Sequence, residues 1–199
     1  MPKLIPLEYG KYYHIYNRGN NRQNVFLEDR NYHYFLKLYA EHIEPMADTY
    51  AYCLLYNHFH FLVRIKLLEE IDTQTQTETF KVSPDQPPKI SSPSQQFGNF
   101  FNAYTKGMNH TYHRTGSMFE NPFGRTEVTS EAYFTHLITY IHQNPQKHRL
   151  VPDFRTWPYS SYHALLSTKP TRVKRDLILS WFGGPAGVVA THQQKLVEH

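Results

Sequence analysis

A chain of 199 residues hides roughly 70% of the surface its unfolded form exposes, so one sizeable core and a single domain are expected. Its 21 Lys and Arg against 17 Asp and Glu leave a formal charge of +4, which favours polyanionic partners, and 16 Tyr, 13 Phe and 13 His supply rings for stacking and nitrogens for metal binding. The single Cys53 excludes an internal disulfide, no run approaches the ~18 apolar residues of a membrane span, and the first ten residues lack the apolar core of a signal peptide; a soluble, cytoplasmic protein with no membrane partner is expected.

Residues 12–16 form an aromatic and β-branched run that ends in the polar turn Asn17-Arg18-Gly19-Asn20-Asn21-Arg22, which reads as a first strand. Asp29 is placed to cap a helix reaching about Glu44, with Tyr32, Phe35, Leu36 and Tyr39 at spacings of three and four, and Pro45 stops it. Two apolar strands, 49–56 and 59–66, meet at Asn57-His58 as an antiparallel hairpin. Between 67 and 93 the composition turns to Thr, Gln, Glu, Pro and Ser, too polar for a core, and a flexible insertion is expected. Phe97, Phe100, Phe101, Tyr104 and Met108 mark a second helix, 123–129 a short fourth strand, and Ser130 the cap of a third helix whose stripe is Phe134, Leu137, Ile138 and Ile141. Asn144-Pro145 marks its end, because the residue before proline avoids the α region. The order β-α-β-β-α-β-α predicts an α+β fold: a ferredoxin-like, split β-α-β antiparallel sheet with helices on one face. Residues 1–66 and 94–151 are assigned to a single main domain, and 152–199 to a C-terminal extension packed on it.

In Asn57-His58-Phe59-His60-Phe61-Leu62-Val63-Arg64, alternation puts His58, His60 and Arg64 on one face and the Phe and Val residues on the other. Residues two apart on a strand are only about 7 Å apart, so two imidazoles can converge on one ion; a pair lining a polar sheet face fits the same pattern. On the third helix Tyr133, His136, Tyr140 and Asn144 recur at helical spacing as a polar stripe beside the apolar one. From there a phenol could reach a metal-bound phosphate and an amide oxygen the same ion, although amphipathic tyrosines at helix edges are common.

Three motifs in order, Tyr16-Asn17-Arg18-Gly19-Asn20, Asn57-His58-Phe59-His60 and Tyr140-Ile141-His142-Gln143-Asn144-Pro145, resemble those of the REP-associated tyrosine transposases, single-tyrosine enzymes with a His-hydrophobe-His pair that act on single-stranded DNA. Arg114-Thr115-Gly116-Ser117-Met118-Phe119, Trp157-Pro158-Tyr159-Ser160-Ser161-Tyr162 and Phe182-Gly183-Gly184 extend the resemblance over nearly the whole chain. It implies that Tyr140 is the nucleophile, that His58, His60 and Asn144 bind a divalent metal, Mg or Mn, and that the substrate is hairpin-forming single-stranded DNA, the repetitive extragenic palindromes. It also implies a 5′-phosphotyrosine intermediate and either a monomer or a homodimer.

For DNA contact the sequence nominates Asn17, Arg18 and Arg22 in the first turn, Arg64 on the His face, Lys106, Arg114 and Arg125. Tyr133 is an alternative nucleophile two turns before Tyr140, while His136 and His142 read as a neighbour of Tyr140 and a packing residue. Two other readings stay open: a non-catalytic module of the same fold that stacks single-stranded nucleic acid, and a metal-dependent phosphodiesterase that activates water.

Overall fold

Alternating side chains along the central strands give each side of the sheet its own hydrophobic filling, and that division organises the molecule. A computed structural model describes residues 5–71 and 91–197. Four strands, β1 (Tyr12–Arg18), β2 (Ala47–Leu55), β3 (His58–Ile65) and β4 (Gly124–Glu127), form one antiparallel sheet in the order β2-β3-β1-β4. The helices are α1 (Asp29–His42), α2 (Pro93–Thr111) and α3 (Glu131–Lys147), followed by α4 (Tyr162–Leu166), α5 (Arg175–Phe182) and α6 (Pro185–Val197). Class and sheet are those expected, and most elements lie within a few residues of their predicted bounds. Most of the expected insertion, 72–90, falls outside the described residues.

Local chemistry explains the helix starts. Ser92 accepts a hydrogen bond from the Gln95 N–H with Pro93 in the first turn, and Ser130 accepts from the Tyr133 N–H at 3.2 Å. For α1 the cap is Glu28 rather than Asp29, with the Asn31 Oδ1 accepting from the Glu28 N–H at 3.1 Å. The third helix does not stop at Asn144-Pro145 but runs on to Lys147. Pro145 lies in the last turn, where the backbone bond it cannot donate is one of few remaining, and Asn144 O still accepts from the His148 N–H at 2.9 Å.

One feature of the expected architecture differs: helices cover both faces of the sheet. α1 and α2 pack together on the side carrying Phe59, Phe61 and Val63, where Phe35 meets Phe59 at 5.0 Å and Phe100 at 4.7 Å between ring centroids. α3 enters after β4 and lies on the opposite side, its Phe134, Leu137, Ile138 and Ile141 packed with Ala51, Cys53, Leu55 and Leu62. The second crossover position is already filled by α2, so α3 seats its stripe on the other apolar surface, which β2 supplies. Residues after 152 complete this second core with Phe154, Trp157, Tyr162, Ile178 and Val188. They also bond to the outer edge of β2, through Leu54 N–H to Tyr159 O (2.9 Å), Ser161 N–H to Tyr52 O (3.0 Å) and Lys174 N–H to Thr49 O (2.8 Å), which shields that edge from foreign strands.

Candidate functional site

The register between β1 and β3 pairs Arg18 with His58 and Tyr16 with His60, so His14, Tyr16 and Arg18 share the face of the two histidines. α3 crosses above them and brings the Tyr140 ring to 5.8 Å from His60 and 6.3 Å from His14, centroid to centroid. A cavity of about 410 Å³ opens here, lined among others by Tyr16, Arg18, His58, His60, Tyr140 and His148. A larger one of about 640 Å³, between α1, β2 and residues 171–173, combines Leu36, Tyr39, Tyr52 and Phe61 with charged residues that pair with one another, Lys37 with Glu41 and Arg172 with Glu44.

All three histidines of the sheet are buried and uncharged at neutral pH. Burial holds His14 and His58 down at about 4, with His148 and Arg18 adding repulsion at His58, and burial followed by the neighbouring His14 holds His60 well below the usual range. Neutral imidazoles keep a lone pair for a metal ion. The His60 Nδ1 lies 2.9 Å from the His14 Nε2, so of its two ring nitrogens the Nε2 is the one able to meet an ion, and the His58 Nδ1 lies 2.7 Å from the Asn57 Oδ1. The His58 Nε2 and the Asn144 Oδ1 are buried without a hydrogen-bond partner among the described residues, a condition that costs about 1–3 kcal/mol per group unless something else binds them. Asn144 donates its Nδ2–H to the Tyr140 carbonyl at 2.8 Å, which fixes the amide. Imidazole nitrogens suit transition-metal ions and an amide oxygen suits Mg or Mn; His58 and His60 line the cavity, whereas Asn144 is not among its lining residues. No group of three or more His, Cys, Asp or Glu is arranged for a metal among the described residues.

Of the basic residues nominated from the sequence, Arg18 is at this site and half-buried. Asn17 also borders the cavity, but its side chain is 5% exposed and accepts from the Arg18 N–H. Arg22 is exposed just beyond β1, its carbonyl accepting from the Asn57 Nδ2–H, and Arg114 bonds Gln23 in the same region at 3.2 Å. The others are not brought in. Arg64 sits at the far end of β3, its guanidinium held by Asp48 (2.8 Å) and Glu70 (2.7 Å). Arg125 turns to the opposite face, stacks on Phe123 at 3.8 Å and donates to the Ser94 Oγ at 2.7 Å. Lys106 is exposed on α2, across the sheet from the histidines. Tyr133 is half-buried near Tyr140 and Tyr16, and His142 is wholly buried.

Sequence reasoning passed over four groups. His14 and Tyr16 share the alternation of Arg18, yet only the pairing of β1 with β3 sets them beside His60. Lys147 and His148 follow the presumed end of the third helix; because that helix continues, the Lys147 ammonium lies 4.9 Å from the Tyr140 ring and the His148 ring 4.7 Å from His58.

The chain is 24% identical over 147 residues, 70% of its length and 77% of the relative's, to a Haemophilus influenzae protein described as a candidate REP-associated tyrosine transposase. The fold superposes with a TM-score of 0.58 on a solved REP-associated tyrosine transposase bound to a REP hairpin, at 15% identity, over 85% of this chain and 88% of that one. The resemblance to the REP-associated tyrosine transposases holds. No family model matches the chain. Among the described residues no helix is long and apolar enough to cross a membrane.

Proposed function

We propose that this chain is a REP-associated tyrosine transposase: a single-strand DNA endonuclease and strand transferase that uses Tyr140 as nucleophile, His58, His60 and Asn144 as ligands of a divalent metal, and a hairpin of the repetitive extragenic palindrome type as substrate. The observation that carries this reading is the Tyr140 ring 5.8 Å from His60, in a cavity shared with two neutral histidines.

In this mechanism the Tyr140 oxygen attacks the scissile phosphorus, a phenol–phosphorus bond forms and the bond to the 3′ oxygen breaks. The phenol gives up one proton and the departing 3′ oxygen takes one, so the step is neutral overall. Attack by a new 3′ hydroxyl on the phosphotyrosine reverses it, and the strand is rejoined without ATP. The Lys147 ammonium stands 4.9 Å from the centre of the Tyr140 ring, where its positive charge attracts the phosphate to be attacked. Arg18 supplies a charge-assisted hydrogen bond to a phosphate oxygen. The metal, when bound, polarises the phosphoryl oxygens and offsets the charge that develops on them. His142 takes no part, since it is sealed in the second core.

The test is a denaturing gel with a labelled single-stranded oligonucleotide that carries a palindrome, with manganese, comparing wild type, Tyr140→Phe and His60→Ala. A shifted covalent species from wild type alone is expected. Cleavage that survives in Tyr140→Phe would overturn the nucleophile in favour of activated water, and binding without cleavage in wild type would favour the non-catalytic module.

A further inference from the structure

β1 buries Tyr13 and Ile15 completely, yet leaves the large ring of Tyr16 38% exposed at the rim of the catalytic cavity. Tyr16 pairs with His60 on one side and with Gly124 on the other. Its ring leans over Gly124 at the sheet edge: a Cβ added to Gly124 would stand 2.1 Å from the Tyr16 Cε2 and 2.4 Å from its Cζ. Gly124 is not among the glycines with positive φ, so its backbone does not demand glycine; the need comes from the ring above it. One ring face is thus seated on the strand, the His14 ring braces it at 4.8 Å, and His60 lies 6.0 Å away. His60 is equally a neighbour of Tyr140, at 5.8 Å.

We propose that Tyr16 is a base-stacking platform: it holds one unpaired nucleobase of the substrate on its outward face, next to the phosphate that Tyr140 attacks. A ring laid on a glycine floor is preorganised and loses little side-chain freedom on binding, and every base offers a π face, so the subsite selects for an unpaired base more than for its identity. Stacking fixes the base and thereby the phosphate beside it, and a base paired in a duplex cannot present its face in this way. The hydroxyl of Tyr16 has no role in this contact; the aromatic ring carries it.

The inference rests on the reading of the chain as a single-strand DNA enzyme. Its test is the affinity of Tyr16→Ala, Tyr16→Phe and Tyr16→Trp for a fluorescent palindrome-bearing oligonucleotide, intact or with one abasic position moved stepwise along its single-stranded segment. Tyr16→Ala is expected to weaken binding about 5- to 150-fold, while Phe and Trp keep it within about threefold. One abasic position should weaken wild type by a comparable factor, and at that position alone the Tyr16→Ala loss should vanish. Gly124→Ala, which pushes the ring off its seat, should weaken binding in wild type and have no further effect on Tyr16→Ala. Full affinity in a folded Tyr16→Ala protein, or losses that add at every abasic position, would overturn the platform; a Tyr16→Phe loss as large as that of Ala would replace it with a role for the hydroxyl. If wild type binds none of these oligonucleotides, the functional reading itself falls and this inference with it.

Discussion

The two faces of the sheet come from the same strands and are finished in opposite ways. On one, Phe35, Tyr39, Phe59, Phe61, Phe100 and Tyr104 interlock between α1, α2 and the strands, all but excluded from solvent. On the other, α3 packs firmly only over the β2 side; toward β1 the rings of His58, His60 and Tyr140 face a cavity, with His14 packed behind His60, and the buried His58 Nε2 and Asn144 Oδ1 lack partners among the described residues, as Tyr32 Oη and Gln96 Oε1 do on the aromatic side. A close-packed aromatic layer provides stability and rigidity, and the rigid layer can then hold unsatisfied polar groups in place on its reverse side. Adjacent residues of β3 therefore answer to different demands.

Substitutions on the two faces should separate accordingly. Tyr140→Phe is expected to lower strand cleavage on the order of a thousandfold or more with an unchanged melting temperature, measured by single-turnover cleavage and calorimetry; near-normal cleavage would erase the division. Phe59→Ala, one residue from either histidine, should destabilise by about 3–5 kcal/mol in urea titration, because it opens a cavity among Phe35, Phe101 and Phe119, while protein that remains folded still forms the covalent adduct.

Acidification should act through the polar face. His142, whose Nδ1 meets the His192 Nε2 at 2.8 Å and whose Nε2 meets the Ser161 Oγ at 2.7 Å, is held well below its ordinary value of 6.5 by burial and then by His192. The unfolded chain takes up a proton near 6.5 that the folded one refuses, so this contribution is complete above that pH and is lost as the pH falls through it. His14 and His58, held at about 4, act with the same sign down to that value. Thermal stability should drop between about pH 7 and pH 5, and a flat profile there would contradict the neutral burial of these rings.

Smaller effects sharpen the boundary of the site. Arg64→Ala should cost about 1–3 kcal/mol by stranding part of the Asp48 ion pair, yet leave cleavage intact, since its guanidinium is committed to Asp48 and Glu70. Lys106→Ala on the far face should change stability by less than about 0.5 kcal/mol and DNA affinity by less than about twofold. A large loss of affinity from either change would bring the DNA across a face the histidines do not occupy.

Much of this was legible in the chain. Period-two alternation located β1 and β3 and put His58 and His60 on one face; period 3.6 located α1, α2 and α3 and set Tyr140 beside an apolar stripe. Alternation also listed Arg64 with the histidines, because a face is a direction and not a position: Arg64 shares the direction of His60 but lies four residues along β3, among carboxylates. Arg125 shows the reverse error, since β4 is four residues long and its facing follows from pairing with Ile15 rather than from any pattern of its own. The proline rule ended α3 too soon, and Lys147 and His148 were lost with the final turn.

Local periodicity by itself determined the elements, their buried sides and the residue types able to do chemistry, because each depends on neighbours a few positions away. Strand order and register decided the rest: that His14 and Tyr16 flank His60, that Gly124 serves the ring of Tyr16, and that α3 crosses the polar face rather than joining α1 and α2. These follow from which apolar surfaces remain uncovered once the sheet has formed, and competition among distant segments for the same surface leaves no mark in the spacing of any one of them.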